Sequence, residues 1–174
     1  MPYKAAVTTG AKTVDAQAGY ETQFSLWAAV AGGGNIIAHA AGFSESGLST
    51  SYEKLVVDAE MIQMMAEAML PITVDADSLA HDAIAAVGPG GHFFDSPHTM
   101  SRYETAFYEP MVSDWENYQN WVERGAQSAA QRANTIWKQL LERYQQPSLD
   151  PAIKDELDAF VERRRAEIGA SDAA

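Results

Sequence analysis

Four histidines, twenty-four carboxylates and no cysteine set the chemical repertoire of this 174-residue chain. Without thiols there is no disulfide framework, no thiolate zinc site and no cysteine nucleophile. Two segments carry polar groups where a small molecule can be held. The first is Gly10–Gly19, with Lys12, Asp15 and Gln17, and Tyr20 just beyond it. The second holds His39, Phe43, Ser44, Glu45 and Ser46. Each begins in or follows a stretch that reads as a strand, KAAVTT at 4–9 and NIIAHAAGF at 35–43. On a strand starting near Asn35, residues 37, 39, 41 and 43 share a face by the period of two. His39 is then a polar group among apolar neighbours, readable as a hydrogen-bonded core histidine or as a site residue. A third constellation, His92-x-x-Asp95-x-x-His98, has imidazole and carboxylate groups of metal-ligand type. Pro97 prevents a regular helix from presenting both rings on one face, so the signal is weak and no metal is assigned. Gly32-Gly33-Gly34 follows a helix and precedes a strand, the wrong order for a dinucleotide fingerprint. No P-loop and no G-x-S-x-G elbow occurs.

The elements that position these residues alternate. After the first strand, Asp15 opens a helix with Tyr20, Phe24, Trp27, Ala28 and Ala31 on one face, and the three glycines stop it. The apolar run 35–43 reads as a strand buried on both faces, as in a parallel sheet. A Gly/Ser loop over 42–51 leads to a helix with Tyr52, Leu55, Val56, Ala59, Ile62 and Met69 inward. Ser49, Thr50 or Ser51 caps it, and Pro71 ends it. The methionines at 61, 64, 65 and 69 read as core and interface filling. An amphipathic helix is expected over Asp75–Val87, and another over Ser101–Tyr108. From Ser113 to Tyr144 a coiled-coil-like stripe runs, weakened at Gly125. A last helix starts at Asp150-Pro151 with Leu157, Phe160, Val161 and Ile168 inward, and Arg163–Arg165 complement its C-terminal dipole. Ala170–Ala174 reads as a frayed tail.

The formal net charge of -12 argues against a nucleic-acid partner, since phosphate neutralisation needs a basic surface. Hydrophobic content of 47% excludes global disorder. The uncharged stretch Thr22–Ser44 is broken by Gly32–Asn35, so it reads as helix, turn and strand and not as a membrane span. No export signal is visible, and the lack of cysteine fits a reducing cytoplasm. Up to Ser101 the only cations are Lys4, Lys12 and Lys54, against eleven carboxylates; the other nine lie from Arg102 onward. The chain thus reads as an acidic strand–helix region, 1–112, and a helical extension, 113–174.

Four phrases, in order, carry a resemblance: DAQAGYE at 15–21, NIIAHAAGF at 35–43, SYEKLVVDAEM at 51–61 and VGPGGHFFDSPHT at 87–99. Together they resemble the C-terminal part of the trimethylamine and betaine:corrinoid methyltransferase family, on the branch without pyrrolysine. The resemblance covers essentially the whole chain. It implies an α/β fold: a partial TIM-type (β/α) barrel, its last few βα units, plus a C-terminal helical extension packing on the barrel. It implies methyl transfer from a methylated or quaternary amine, such as glycine betaine or trimethylamine, to the Co(I) corrinoid (cobalamin) of a partner protein. His39 and Glu45 are then the candidate catalytic residues, with Asp15, Gln17, Tyr20 and Phe43 facing substrate or corrinoid. His92 and His98 are structural or touch the docking surface. A chain of this length is expected to be inactive alone and to associate, with itself or with the missing barrel half. The competing reading is a non-catalytic barrel remnant that oligomerises or binds a protein. Their common starting point is strand ends that bring the two polar segments together.

Overall fold

A computed structural model describes residues 3–171. The chain opens on strand β1 (Lys4–Ala6), helix α1 (Ala16–Ala31) and strand β2 (Ile36–Ala38). β1 and β2 pair in parallel, Lys4 opposite Ile36 and Ala6 opposite Ala38, the strand–helix–strand unit expected from the order of elements. Asp15 starts α1 by accepting the Ala18 N–H at 3.2 Å. The glycine run ends it. Gly33 takes a left-handed φ of 73°, and a Cβ on Gly34 would sit 2.9 Å from the Ala29 carbonyl oxygen. Asn35 then ties the returning chain to β1, its N–H donating to Tyr3 O at 2.8 Å and its Oδ1 accepting the Tyr3 N–H at 2.9 Å.

Both strands are shorter than the apolar runs suggest. β2 stops at Ala38 because His39 turns into the left-handed region, with φ 54°. Residues 35–43 are therefore not one strand, and 37, 39, 41 and 43 share no strand face. Ile36 is exposed, so β2 is not buried on both faces either. The chain continues into a hairpin of β3 (Phe43–Ser44) and β4 (Ser49–Thr50), antiparallel about a tight 3-10 turn at Glu45–Gly47. The architecture is mixed helix and sheet with few strands.

Helix α2 (Tyr52–Ala68) follows, capped by Ser51, whose hydroxyl accepts the Lys54 N–H at 3.1 Å. It is buried on two sides. Met65 and Ile62 pack with Val7 and Leu26, and Val56 and Val57 pack with Val112 and Ala133. The most deeply buried side chains of α2 are charged. Lys54 and Asp58 are each 1% exposed. The Lys54 ammonium lies 2.6 Å from both Asp58 oxygens and 3.0 Å from the Thr22 hydroxyl on α1. Asp58 Oδ2 also accepts the Gly42 N–H at 2.8 Å. Burial pushes the Asp58 carboxyl up, against the opposing pull of the Lys54 ammonium and the Gly42 N–H. Two more carboxylates of α2 hold later chain. Buried Glu60 accepts the backbone N–H groups of Val112 and Ser113 and the Ser113 hydroxyl. Glu53 accepts Asn134 Nδ2 at 2.6 Å and the Trp137 indole N–H at 2.8 Å.

Aromatic spacing misleads at α1. Tyr20, Phe24 and Trp27 are exposed, and Ala18, Thr22, Leu26 and Ala29 face inward. Of the methionines at 61, 64, 65 and 69, Met65 is core, whereas Met64 and Met69 are exposed. The helix expected over Asp75–Val87 is two short ones, α3 (Ala76–Leu79) and α4 (His81–Val87), separated by left-handed Ala80. Ser101–Tyr108 forms turns after the short helix α5 (Pro97–Met100). The long helix expected over 113–144 is interrupted. α6 (Tyr118–Glu123) ends where Gly125 and Ala126 turn left-handed, and α7 (Ala129–Glu142) restarts at Ser128. There Ser128 and Gln131 exchange reciprocal capping hydrogen bonds. The final helix, α8 (Pro151–Ser171), leaves its expected inward residues about half exposed. The described residues of 170–174 include the end of α8 as far as Ser171, where a frayed tail was expected; 172–174 lie outside them.

The chain divides into two compact units, 1–139 and 140–174. Within the first unit Glu60 grips residues 112 and 113. Among the described residues no helix is long and apolar enough to cross a membrane.

Two outcomes follow from these contacts. Lys54→Met strands a buried carboxylate and should cost about 3–5 kcal/mol in urea unfolding. The double variant Lys54→Met/Asp58→Leu should cost less than the single one, because no uncompensated charge remains buried. The Glu53 carboxyl is held below its ordinary 4.5 by the Asn134 amide first and the Trp137 indole second. Its stabilising contribution is therefore complete above about pH 4.5 and lost as pH falls through the lower folded-state value. Exchange of the Trp137 indole proton should accelerate below that point in the native chain. In Glu53→Gln that acid dependence should vanish.

Candidate functional site

At the carboxyl ends of β1 and β2 the two polar segments meet. Val7 N–H donates to Ala38 O at 3.1 Å and carries the pairing one residue past β1. Beyond it, Ser46 N–H donates to Thr9 O at 2.8 Å and Glu45 N–H to Ala11 O at 2.9 Å. The loop after β1 and the turn after β3 are thus locked backbone to backbone. Parallel strand–helix units place ligands at this end of their strands.

Three non-glycine residues in this one segment hold left-handed backbone: His39 at φ 54°, Glu45 at 53° and Ser46 at 57°. Each costs of order 1 kcal/mol. The surroundings fix them: Asp58 holds Gly42 from behind, and Thr9 and Ala11 hold the turn from the side. A cavity of about 200 Å³ results, lined by Val7, Thr8, His39, Phe43, Ser46 and Gly47. The His39 ring meets Phe43 edge to face, with centroids 4.9 Å apart and planes at 79°. His39 is exposed, so it is not a core histidine. Among the described residues neither of its ring nitrogens takes part in a hydrogen bond. Phe43 also lines a larger opening of about 420 Å³ on the hairpin side, with Gly42, Thr50, Tyr52 and Leu55.

Glu45 belongs to the same strand end through its backbone, and Ser46 forms the cavity wall beside it. Asp15 spends both oxygens locally. It accepts the Ala18 N–H and the Thr13 hydroxyl, which hold its carboxyl below the usual range. Gln17 donates to Glu21 Oε1 at 3.0 Å. Tyr20 stands on the outward face of α1 with Phe24 and Trp27, apart from the cavity lining.

Sequence reasoning missed Glu21 and Thr9. Glu21 Oε2 accepts the Thr9 hydroxyl at 2.6 Å and the Gly10 N–H at 2.7 Å. The Thr9 hydroxyl, then Gln17 and the Gly10 N–H, hold the Glu21 carboxyl below its ordinary value. Thr9 Oγ1 in turn accepts the Ala11 N–H at 3.0 Å. The available signal was the i, i+4 spacing of Gln17 and Glu21 on the helix that follows the loop.

The histidines of 92–98 do not gather. His92 Nδ1 lies 3.5 Å from Asp95 on the surface, and His98 Nε2 contacts the Asp77 carbonyl at 2.8 Å. Arg102 pairs with the Asp77 carboxylate alongside. Among the described residues no three His, Asp or Glu side chains could hold a metal ion. The strand-end cavity instead offers an aromatic face, an imidazole and backbone-fixed walls. That set suits a small apolar or cationic group.

Residues 1–169 match the family model described as trimethylamine methyltransferase (MTTB). The chain is 42% identical over 158 residues to the glycine betaine methyltransferase of Desulfitobacterium hafniense (strain Y51), covering 91% of this chain and 33% of that protein. It is 33% identical over 162 residues to trimethylamine methyltransferase MttB2 of Methanosarcina mazei, covering 92% and 32%. Against trimethylamine methyltransferase MttB of Methanosarcina barkeri it is 31% identical over 162 residues, covering 92% and 32%. The chain therefore spans about a third of the length of the curated relatives it matches. With a family match running over nearly every residue, the chain belongs to the trimethylamine methyltransferase (MTTB) family.

Proposed function

We propose that this chain forms part of a methyltransferase that moves a methyl group from a methylated or quaternary amine to the Co(I) corrinoid of a partner protein. The observation that carries the reading is the locked strand end of β1 and β2, with His39 and Phe43 on one cavity. The 42% identity to a relative named for glycine betaine favours a quaternary amine as donor. In this reading β1, α1, β2 and α2 are the last βα units of a (β/α) barrel, and the strand-end cavity opens on its mouth. The relatives compared are all named methyltransferases, which does not favour a purely structural remnant.

A quaternary ammonium departs as a neutral tertiary amine, so no acid has to protonate the leaving nitrogen. The chain's work is to bind the cation, orient one methyl outward and exclude water. Phe43 supplies an aromatic surface for methylated nitrogen. The carboxylate excess of the first hundred residues attracts cations at longer range. His39 fits the amide-fringed rim of a corrin, because its exposed imidazole is left without a hydrogen-bond partner among the described residues. When bound, the reduced corrinoid supplies the nucleophile. Glu45 orients the substrate through the turn that its N–H ties to Ala11, and Gln17 through Glu21, which holds the loop after β1. Asp15 sets the start of α1 behind them. Tyr20 faces outward, toward whatever packs against α1. A reducing cytoplasm suits a Co(I) acceptor.

The test uses the polypeptide extended to the length of its relatives, assayed with glycine betaine and trimethylamine against cob(I)alamin. His39→Asn keeps a residue tolerant of the left-handed backbone. It should lower methyl transfer at least about tenfold, or about 1.4 kcal/mol, without changing thermal unfolding. An unchanged rate removes His39 from the site. Absence of transfer from either amine by the unaltered protein removes the reading itself.

A further inference from the structure

One carboxylate on α1 controls a wall of the strand-end cavity that it does not itself line. Glu21 Oε2 accepts the Gly10 N–H at 2.7 Å and the Thr9 hydroxyl at 2.6 Å, and Thr9 Oγ1 accepts the Ala11 N–H at 3.0 Å. Thr9 and Ala11 are 3% and 1% exposed, so their polar groups depend on partners within the protein. The peptide joining Thr9 to Gly10 is planar and trans, and its N–H and C=O therefore point in opposite directions. With the N–H aimed at Glu21, the Thr9 carbonyl is aimed away from it, and there it accepts the Ser46 N–H at 2.8 Å. The peptide joining Glu45 to Ser46 repeats the pattern. Its N–H is held by Thr9, and its carbonyl accepts the Leu48 N–H at 3.2 Å. A line of hydrogen bonds thus runs from Glu21 through two peptide groups to Leu48. Beside it, the Ala11 carbonyl accepts the Glu45 N–H at 2.9 Å.

The line ends on the residues whose backbone is strained. Glu45 and Ser46 stand at φ 53° and 57°, and Ser46 and Gly47 line the cavity with His39 and Phe43. We propose that Glu21 is a positioning residue for this site: through the Thr9–Gly10 peptide it holds the Glu45–Ser46 turn in its left-handed form and so sets the cavity wall beside His39. The catalytic consequence rests on the function proposed above. Asp58 holds the same segment at Gly42, from α2, and Glu21 holds its far end from α1. The two carboxylates differ in one respect. Asp58 is 1% exposed and paired with a buried ammonium, whereas Glu21 is half-buried, so its removal strands no buried charge.

The experiment follows amide exchange residue by residue, by NMR on the 174-residue chain. In Glu21→Ala the Ser46 and Leu48 amides should exchange at least about tenfold faster, with the amide of core residue Met65 unchanged. Glu21→Gln keeps an acceptor for Gly10 and Thr9 and should stay within about threefold of the unaltered chain. A Ser46 rate that does not move in Glu21→Ala overturns the proposal. So does a Gln variant as fast as the Ala one. If Met65 accelerates along with Ser46, the unaltered chain decides. Couplings across the hydrogen bonds from Gly10 N to Glu21 Cδ, and from Ser46 N to the Thr9 carbonyl carbon, must then be observed, and their absence overturns the proposal. In the polypeptide extended to the length of its relatives, Glu21→Ala should lower kcat for glycine betaine at least about tenfold, and Glu21→Gln should recover it. An unchanged kcat alongside a loosened Ser46 overturns the positioning role. If the unaltered enzyme transfers no methyl, the proposed function falls, and the exchange rates still decide whether Glu21 holds the turn.

Discussion

A single buried ammonium–carboxylate contact organises the first unit. Lys54 and Asp58 lie one turn apart on α2, almost wholly out of water, and neither is satisfied by the other alone. The Lys54 ammonium needs Thr22, which fixes α1; Asp58 needs the Gly42 N–H, which fixes the segment leaving β2. Removing charge from water is costly, and the cost is offset only where every remaining lone pair and proton finds a partner. Helix, helix and loop must therefore arrive together.

The opposite side of α2 uses carboxylates in the same way toward later chain. Glu60 binds the backbone at 112–113, and Glu53 reaches two side chains of α7. Between them Val56, Val112 and Ala133 form a small apolar cluster. One helix thus grips the strand-end loops on one side and the segment 112–137 on the other. All of these grips lie within the unit 1–139.

The alternation of strand, helix and strand was legible because glycines and turn residues punctuate it, and the pairing of β1 with β2 is the parallel one. Which faces are buried was not legible. Periodicity assigns apolar residues inward, yet α1 turns Phe24 and Trp27 out and draws Thr22 in, because Thr22 completes the Lys54 contact. The run 35–43 looks like one strand because left-handed backbone at His39 is invisible in composition: no glycine marks it. That turn brings His39 beside Phe43 and the Glu45–Ser46 turn beside Thr9, so the two candidate segments meet by a route that strand alternation did not describe. Asp15 was read as a site residue, and its type fits equally the helix cap that it forms. Glu21 closes the phrase DAQAGYE, yet its role appears only once the loop folds over it. At α8 the helix itself was readable, from the proline that opens it onward.

The left-handed segment between His39 and Ser46 has a thermodynamic corollary. Its conformational entropy is lost when the chain folds, not when a ligand arrives. A small cation that gains little from a few aromatic contacts has no reserve with which to order a floppy turn. On the proposed reading, a turn held rigid beforehand leaves none of that cost to a weakly attracted cation. Binding at this rim should accordingly be tuned by the stiffness of the backbone beneath it as much as by the groups that touch the guest.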